Sequence, residues 1–144
     1  MEDVAITGIG VVSPFGTVQQ SVQVSAVAPG IFLLGAASSP AVENTDGSIN
    51  SPANPVSRGG ALIIYVTGLG AVTKQGQFNV TTATVTAILN GVEMPVLFAG
   101  LAPGYTGLYQ VNLLLPTATP PGLGISLTLK AAGQLSNTVS VSLQ

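Results

Sequence analysis

The fold class this sequence predicts is an all-β sandwich, and three observations predict it. Short runs of β-branched and aliphatic residues recur along the chain, Gly, Pro and Asn-Gly turn signals separate them, and no stretch of useful length carries a helical period. With 144 residues and no cysteine, one domain large enough to bury a core without a disulfide is the default.

Residues 1–16 stand apart from the rest of the chain. Val4 and Ile6 alternate with Ala5 and Thr7, then Gly8, Ile9, Gly10, Val11 and Val12 lead to Ser13-Pro14, where the run closes. A strand apolar on both faces is either the first strand of the same domain or a strand that leaves it to complete the sheet of a neighbour. From Val18 to Val27 the chain alternates, Val18, Val22, Val24 and Ala26 against Gln19, Ser21, Gln23 and Ser25, the pattern of a half-buried strand. Ala28-Pro29-Gly30 turns it into a short apolar piece, Ile31 to Leu34. Residues 35–59, rich in Ser, Pro, Asn and Gly, are long for a loop in a compact domain and so predict a segment that packs on the sandwich or meets a partner.

The strongest strand is Leu62 to Thr67, apolar at Leu62, Ile64 and Val66 on one face and at Ile63 and Tyr65 on the other. Pro52 and Pro55 keep the approach to it an ordered loop. Ala71 to Asn79 reads as a polar connection and Thr82 to Leu89 as the next strand. Asn90-Gly91 is a type I′ hairpin signal, because both central residues of that turn need positive φ. Pro95 places the returning strand at an edge or a bulge. Leu108 to Leu115, Ile125 to Lys130 and Ser136 to Leu143 complete the set, the last alternating Val139, Val141 and Leu143 with Ser140 and Ser142. Seven or eight such strands predict an immunoglobulin-like β-sandwich with an N-terminal strand extension, divided as residues 1–16 and 17–144. No Trp and no Cys pair is present, so its core is aliphatic packing alone.

Composition removes whole classes of function. Histidine and cysteine are both absent, which takes away the commonest general base, thiol nucleophiles and Zn–Cys sites, and no carboxylates are paired by spacing. Glu2, Asp3 and Glu93 are isolated acids, and the expectation is a protein without catalysis or cofactor. Arg58, Lys74 and Lys130 are the only cations, too few to neutralise a nucleic-acid backbone. No apolar run is long enough to span a bilayer as a helix. Charged residues make up 6% of the chain, against roughly 25% in an ordinary domain, so little opposes association. The acidic start is unlike a secretory signal, so either the chain is cytosolic or a leader has been removed, and scarce charge with abundant Ser, Thr, Gly and Ala favours the second, a secreted surface protein.

Two resemblances carry further expectations. Val4 to Gly16, VAITGIGVVSPFG, resembles the first strand and turn of β-ketoacyl synthases, but those enzymes use a cysteine with histidines and this chain has neither, so the activity is rejected. From about Gln23 onward the chain resembles the immunoglobulin-like domain at the C-terminal end of large secreted acidobacterial proteins, and more distantly the TIG-type fold. Ala28 to Phe32, Asn50 to Pro55, Tyr65 to Gly70, Ala99 to Gly104 and Gly107 to Asn112 carry that likeness. It implies a secreted, non-catalytic module and supplies no ligand.

Few residues stand out as sites. Asn79-Val80-Thr81 is an N-glycosylation sequon at a loop-to-strand boundary, and Thr81, Thr82, Thr84 and the Thr117 to Pro121 stretch are O-glycan candidates on composition. Glu43, Asn44, Asp46 and Asn50 offer oxygens but match no calcium loop, and read as turn formers. The pairs Gly8/Gly10 and Gly68/Gly70 read as turn or bulge glycines, since no GxGxxG opens a helix. Among the aromatics, Tyr105 in its Pro-Gly loop is the one candidate for ligand contact, the rest reading mostly as core. The function expected is that of a structural subunit, polymerising head to tail with copies of itself, in which Val4, Ile6, Ile9, Val11 and Val12 form a strand donated to the next copy. The alternative is a monomeric adhesion or carbohydrate/protein-binding module.

Overall fold

The computed structural model describes residues 5–35 and 39–144. Its strands, in chain order, are β1 (Ala5–Ser13), β2 (Gly16–Val24), β3 (Gly30–Ile31), β4 (Leu33–Leu34), β5 (Ser39–Pro40), β6 (Val42–Asn44), β7 (Ala61–Thr67), β8 (Val72–Gln75), β9 (Phe78–Thr81), β10 (Val85–Leu89), β11 (Val92–Pro95), β12 (Phe98–Leu101), β13 (Tyr109–Leu114), β14 (Gly122–Ala131), β15 (Gln134–Leu135) and β16 (Val139–Leu143). The chain is all-β, with no helix among the described residues. The sixteen segments exceed the seven or eight expected because the sequence pattern misses pieces of two to four residues, which have too little length to show a period.

Two sheets carry the core. One runs β3-β7-β13-β12-β9-β8, with β6 also paired to β7, and the other runs β11-β10-β14, with β15 and β16 both paired to β14. The strand pairs are antiparallel, and an isolated parallel bridge joins Val56 to Leu143. Leu62, Ile64 and Val66 of β7, Val111 and Leu113 of β13, and Leu127 and Leu129 of β14 are fully buried and belong to one cluster drawn from both sheets. Period-2 alternation produces this directly: each strand sends every second side chain inward. Burying one such side chain is worth about 1.5–3 kcal/mol.

Turn chemistry then fixes the register. Asn90 and Gly91 take φ of 49° and 80°, the type I′ geometry expected, and hold Leu89 opposite Val92. β11 is a sheet edge, as Pro95 requires. Gly68, with φ of 74°, is packed so closely that a Cβ would lie 1.8 Å from the Ala28 carbonyl oxygen, while its own carbonyl accepts from the Ala28 N–H at 2.8 Å. Only glycine permits that approach of the incoming chain to the end of β7.

The long loop packs onto the domain. Asn50, 2% exposed, donates to Asn44 Oδ1 and to the Ser142 carbonyl, both at 2.9 Å, and accepts from the Ser142 N–H at 2.8 Å. Asn44 in turn donates to Ser48 Oγ and the Asn54 carbonyl. A side-chain ladder thus ties residues 44–54 to β16. Among the described residues no buried side-chain nitrogen or oxygen lacks a partner.

Ala71 to Asn79, expected as a connection, instead makes most of the β8–β9 hairpin, pairing Val72 with Thr81 and Gln75 with Phe78 around Gly76. β8 is mostly exposed and β9 only half-buried over Val80 and Thr81, so no buried period marks them.

Candidate functional site

The N-terminal segment is a two-stranded hairpin, not a lone strand. β1 pairs along its whole length with β2, from Ala5 opposite Val24 to Ser13 opposite Gly16, and the hairpin crosses the expected boundary at residues 16 and 17. The Ser13 hydroxyl donates to the Gly16 carbonyl at 3.1 Å and accepts from the Phe15 N–H at 3.3 Å, closing the turn. Residues directly opposite in an antiparallel pair share a face. One face therefore collects Thr7, Ile9, Val11, Val18, Gln20, Val22 and Val24, and the other Ile6, Gly8, Gly10, Val12, Thr17, Gln19, Ser21 and Gln23. The first, which also takes Ser13 and Gly16 at the turn, is apolar apart from Thr7, Ser13 and Gln20.

That face is uncovered. Ile9 is 54% and Val11 65% exposed, and no other strand packs extensively on β1 or β2. The strand predicted half-buried over Val18 to Val27 is a strand through Val24, but an exposed one; burial begins at Val27. Of the donor-strand candidates, Ile9 and Val11 lie on the apolar face, Ile6 and Val12 on the opposite one, and Val4 lies outside the described residues, as do Glu2 and Asp3. Gly8 and Gly10 are interior strand residues, not turn or bulge glycines, whereas Gly68 and Gly70 turn with positive φ. The buried core cluster takes its residues from Val27 onward, and none from β1 or β2.

The second region surrounds Tyr105. Gly104, with φ of 83°, and the bond from Tyr105 N–H to the Ala102 carbonyl turn the loop so that the ring stands 65% exposed. On one side is an apolar groove of about 570 Å³ walled by Phe32, Leu33, Leu34, Ile49 and Leu108. At this groove Tyr65 donates to Glu43 Oε2 at 3.2 Å, and burial, followed by the neighbouring Glu43 charge, holds the Tyr65 phenol above its ordinary pKa. On the other side is a cleft of about 410 Å³ whose lining includes Gln77, Phe78, Asn79 and Thr106. Phe78 meets Phe98 edge-on at 5.7 Å.

Of the aromatics expected in the core, Tyr109 packs against it and Tyr65 and Phe98 are half-buried, while the other three lie outside it. Phe15 is fully exposed at the hairpin tip, Phe32 and Phe78 are exposed, and aliphatic side chains fill the interior. The reason is local: Phe15 and Phe78 flank turn glycines, and Phe32 falls between two short strands.

The remaining candidates are quickly placed. Asn79 is exposed on β9 opposite Lys74, while the Thr81 hydroxyl of the same sequon donates to the Ala83 and Ala99 carbonyls. Thr82, Thr84 and Thr117 are exposed and Thr119 is half-buried. Asn44 and Asn50 are spent on the loop ladder, and Asp46 accepts from the Ser48 N–H and hydroxyl, which lowers its pKa. Among the described residues no three His, Cys, Asp or Glu side chains gather as a metal site, and no helix is long and apolar enough to cross a membrane. Glu93 bridges to Lys130 at 2.7 Å and accepts from Thr86, and Lys130 first, then Thr86, lowers its pKa. No protein-family model matches the chain, and no curated protein matches it.

Proposed function

We propose that this chain is a structural subunit of an extracellular fibre, built of immunoglobulin-like sandwiches that join head to tail through the N-terminal hairpin. One observation carries the reading: an apolar face on which Ile9, Val11, Val18 and Val24 are exposed and Val22 is half-buried, attached to a domain whose buried core is built without it. Exposed apolar surface of this kind gains free energy when covered. The hairpin also presents two unpaired strand edges, which template strand addition. A contact between unlike surfaces that does not close on itself grows a filament. The low charge of the chain leaves little repulsion to oppose stacking.

The sandwich assignment is supported by the two-sheet order. β6, β7, β13 and β12 lie in one sheet and β11, β10, β14 and β16 in the other, so the chain crosses between sheets repeatedly, as immunoglobulin-like domains do. This accords with the resemblance to secreted acidobacterial domains. Asn79, exposed on β9, is the site proposed for a covalent glycan, which would hydrate a surface poor in charge.

The test is negative-stain microscopy with size-exclusion light scattering of the full-length protein and of a variant lacking residues 1–24. Filaments from the full chain and folded monomers from the variant are expected. A variant that still polymerises sinks the hairpin mechanism. The second reading, a monomeric binding module, draws on the exposed Tyr105 and expects a monodisperse full-length protein.

A further inference from the structure

We propose that the cleft between the β8–β9 turn and the Pro103–Thr106 loop binds a neutral polysaccharide chain, with Tyr105 as its stacking platform. The inference supplies a ligand class for the second reading, takes the chain with Asn79 unglycosylated, and does not depend on whether the chain assembles into fibres. Three features point to it.

The first is the residue itself: Tyr105 is 65% exposed at a turn held by Gly104, so most of it is open to solvent. A flat, C–H-rich sugar face covers such a ring while its rim hydroxyls stay free to bond. The second is the kind of polar group nearby. Gln77 and Asn79 carry primary amides and Thr106 a hydroxyl, groups that both donate and accept, as sugar hydroxyls require. None of these three side chains is occupied by a hydrogen bond within the described structure. The third is charge. The lining holds no acid or base, so a phosphate, sulfate or uronate would find no counter-charge within it. Lys74 stands opposite Asn79 in the ladder but outside the lining.

Phe78, 53% exposed, forms a second apolar wall. Its neighbours Gln77 and Asn79 reach the cleft because the β8–β9 hairpin brings its turn beside a loop some 25 positions later in the chain. Tyr105 also borders the apolar groove, which lies outside the proposed subsite.

The experiment is isothermal titration of the full-length protein, made in a host without N-glycosylation, with cellohexaose, mannohexaose and a trigalacturonate. Binding of at least one neutral hexasaccharide is expected. Tyr105→Ala should weaken it about tenfold, Tyr105→Phe should retain it, Gln77→Ala should weaken it several-fold, and Leu34→Ala in the apolar groove should leave it unchanged. Thermal melts matching the parent establish that the variants fold, and light scattering on each sample reads assembly separately. The proposal is overturned if neither neutral hexasaccharide binds at millimolar concentration, if Tyr105→Ala binds like the parent, if Leu34→Ala and not Gln77→Ala loses binding, or if the galacturonate binds tighter.

Discussion

The first hairpin of this chain and its last set the same local pattern in opposite surroundings. β1 pairs with β2 in one unbroken register, and β14 pairs with β16 with a single shift between Gly122 and Ile125. Yet Val139, Val141 and Leu143 are buried, while Val18 is 72% exposed. The difference is the company each keeps: β16 shares one buried cluster with β7 and β13, and among the described strands only β1 packs extensively on β2. Alternation and turn chemistry are enough to specify a strand and its partner, whereas burial is a property of what lies across from it.

The comparison is broken or sharpened most strongly by truncating one apolar residue in each hairpin. Leu129→Ala, in β14, should cost about 2–5 kcal/mol in chemical denaturation, whereas Ile9→Ala in dilute, monomeric protein should cost no more than about 0.5 kcal/mol. A loss at Ile9 as large as at Leu129 would mean that the hairpin face is covered in solution. A smaller effect separates packing from polar fastening. Asn50→Ala removes the side-chain ladder to β16, leaving Ser142 backbone groups unpaired, and should cost about 1–3 kcal/mol, with nothing equivalent to lose in β1–β2.

The smallest effect is electrostatic. Lys130 and Thr86 lower the folded pKa of Glu93, so the bridge contributes above the ordinary carboxylate pKa and its contribution fades as pH falls through the depressed folded value. The urea midpoint difference between the parent and Glu93→Gln should therefore shrink in acid, and only slightly, since the pair is solvated. The first hairpin, with no titratable side chain from residue 5 to 24, should be indifferent to the same change. A difference that grows in acid would reverse the assignment of Glu93.

Legibility in the sequence divides along the same line. Leu62 to Thr67 was legible because its buried face is continuous, and Asn90-Gly91 because positive φ is a local demand. β8–β9 was not, since its side chains are largely solvent-facing and backbone bonds alone hold its ladder. β5 and β6 were hidden in a loop whose order comes from Asn44 and Asn50 meeting distant backbone groups. At the site, the exposure of Tyr105 could be anticipated from its Pro-Gly loop, but the approach of Gln77 and Phe78 could not, because only the register of the sheets brings them there. The same holds for β1, whose apolar residues were visible and whose partner, β2, was assigned to the domain instead.

The fastening of Asn50 to Ser142 also sets an order of events. The two residues are 92 positions apart, so the ladder that orders the middle loop forms only after nearly all of the chain is available. Until then Asn50 lacks these partners, and the outer edge of β16, where Asn50 takes up the Ser142 N–H and carbonyl, stays open. Non-local closure of this sort slows folding, and it exposes an unpaired strand edge for as long as it takes. A chain with so little charge would meet its copies during that interval, so the speed with which Ser142 reaches Asn50 governs how long misdirected pairing has to compete.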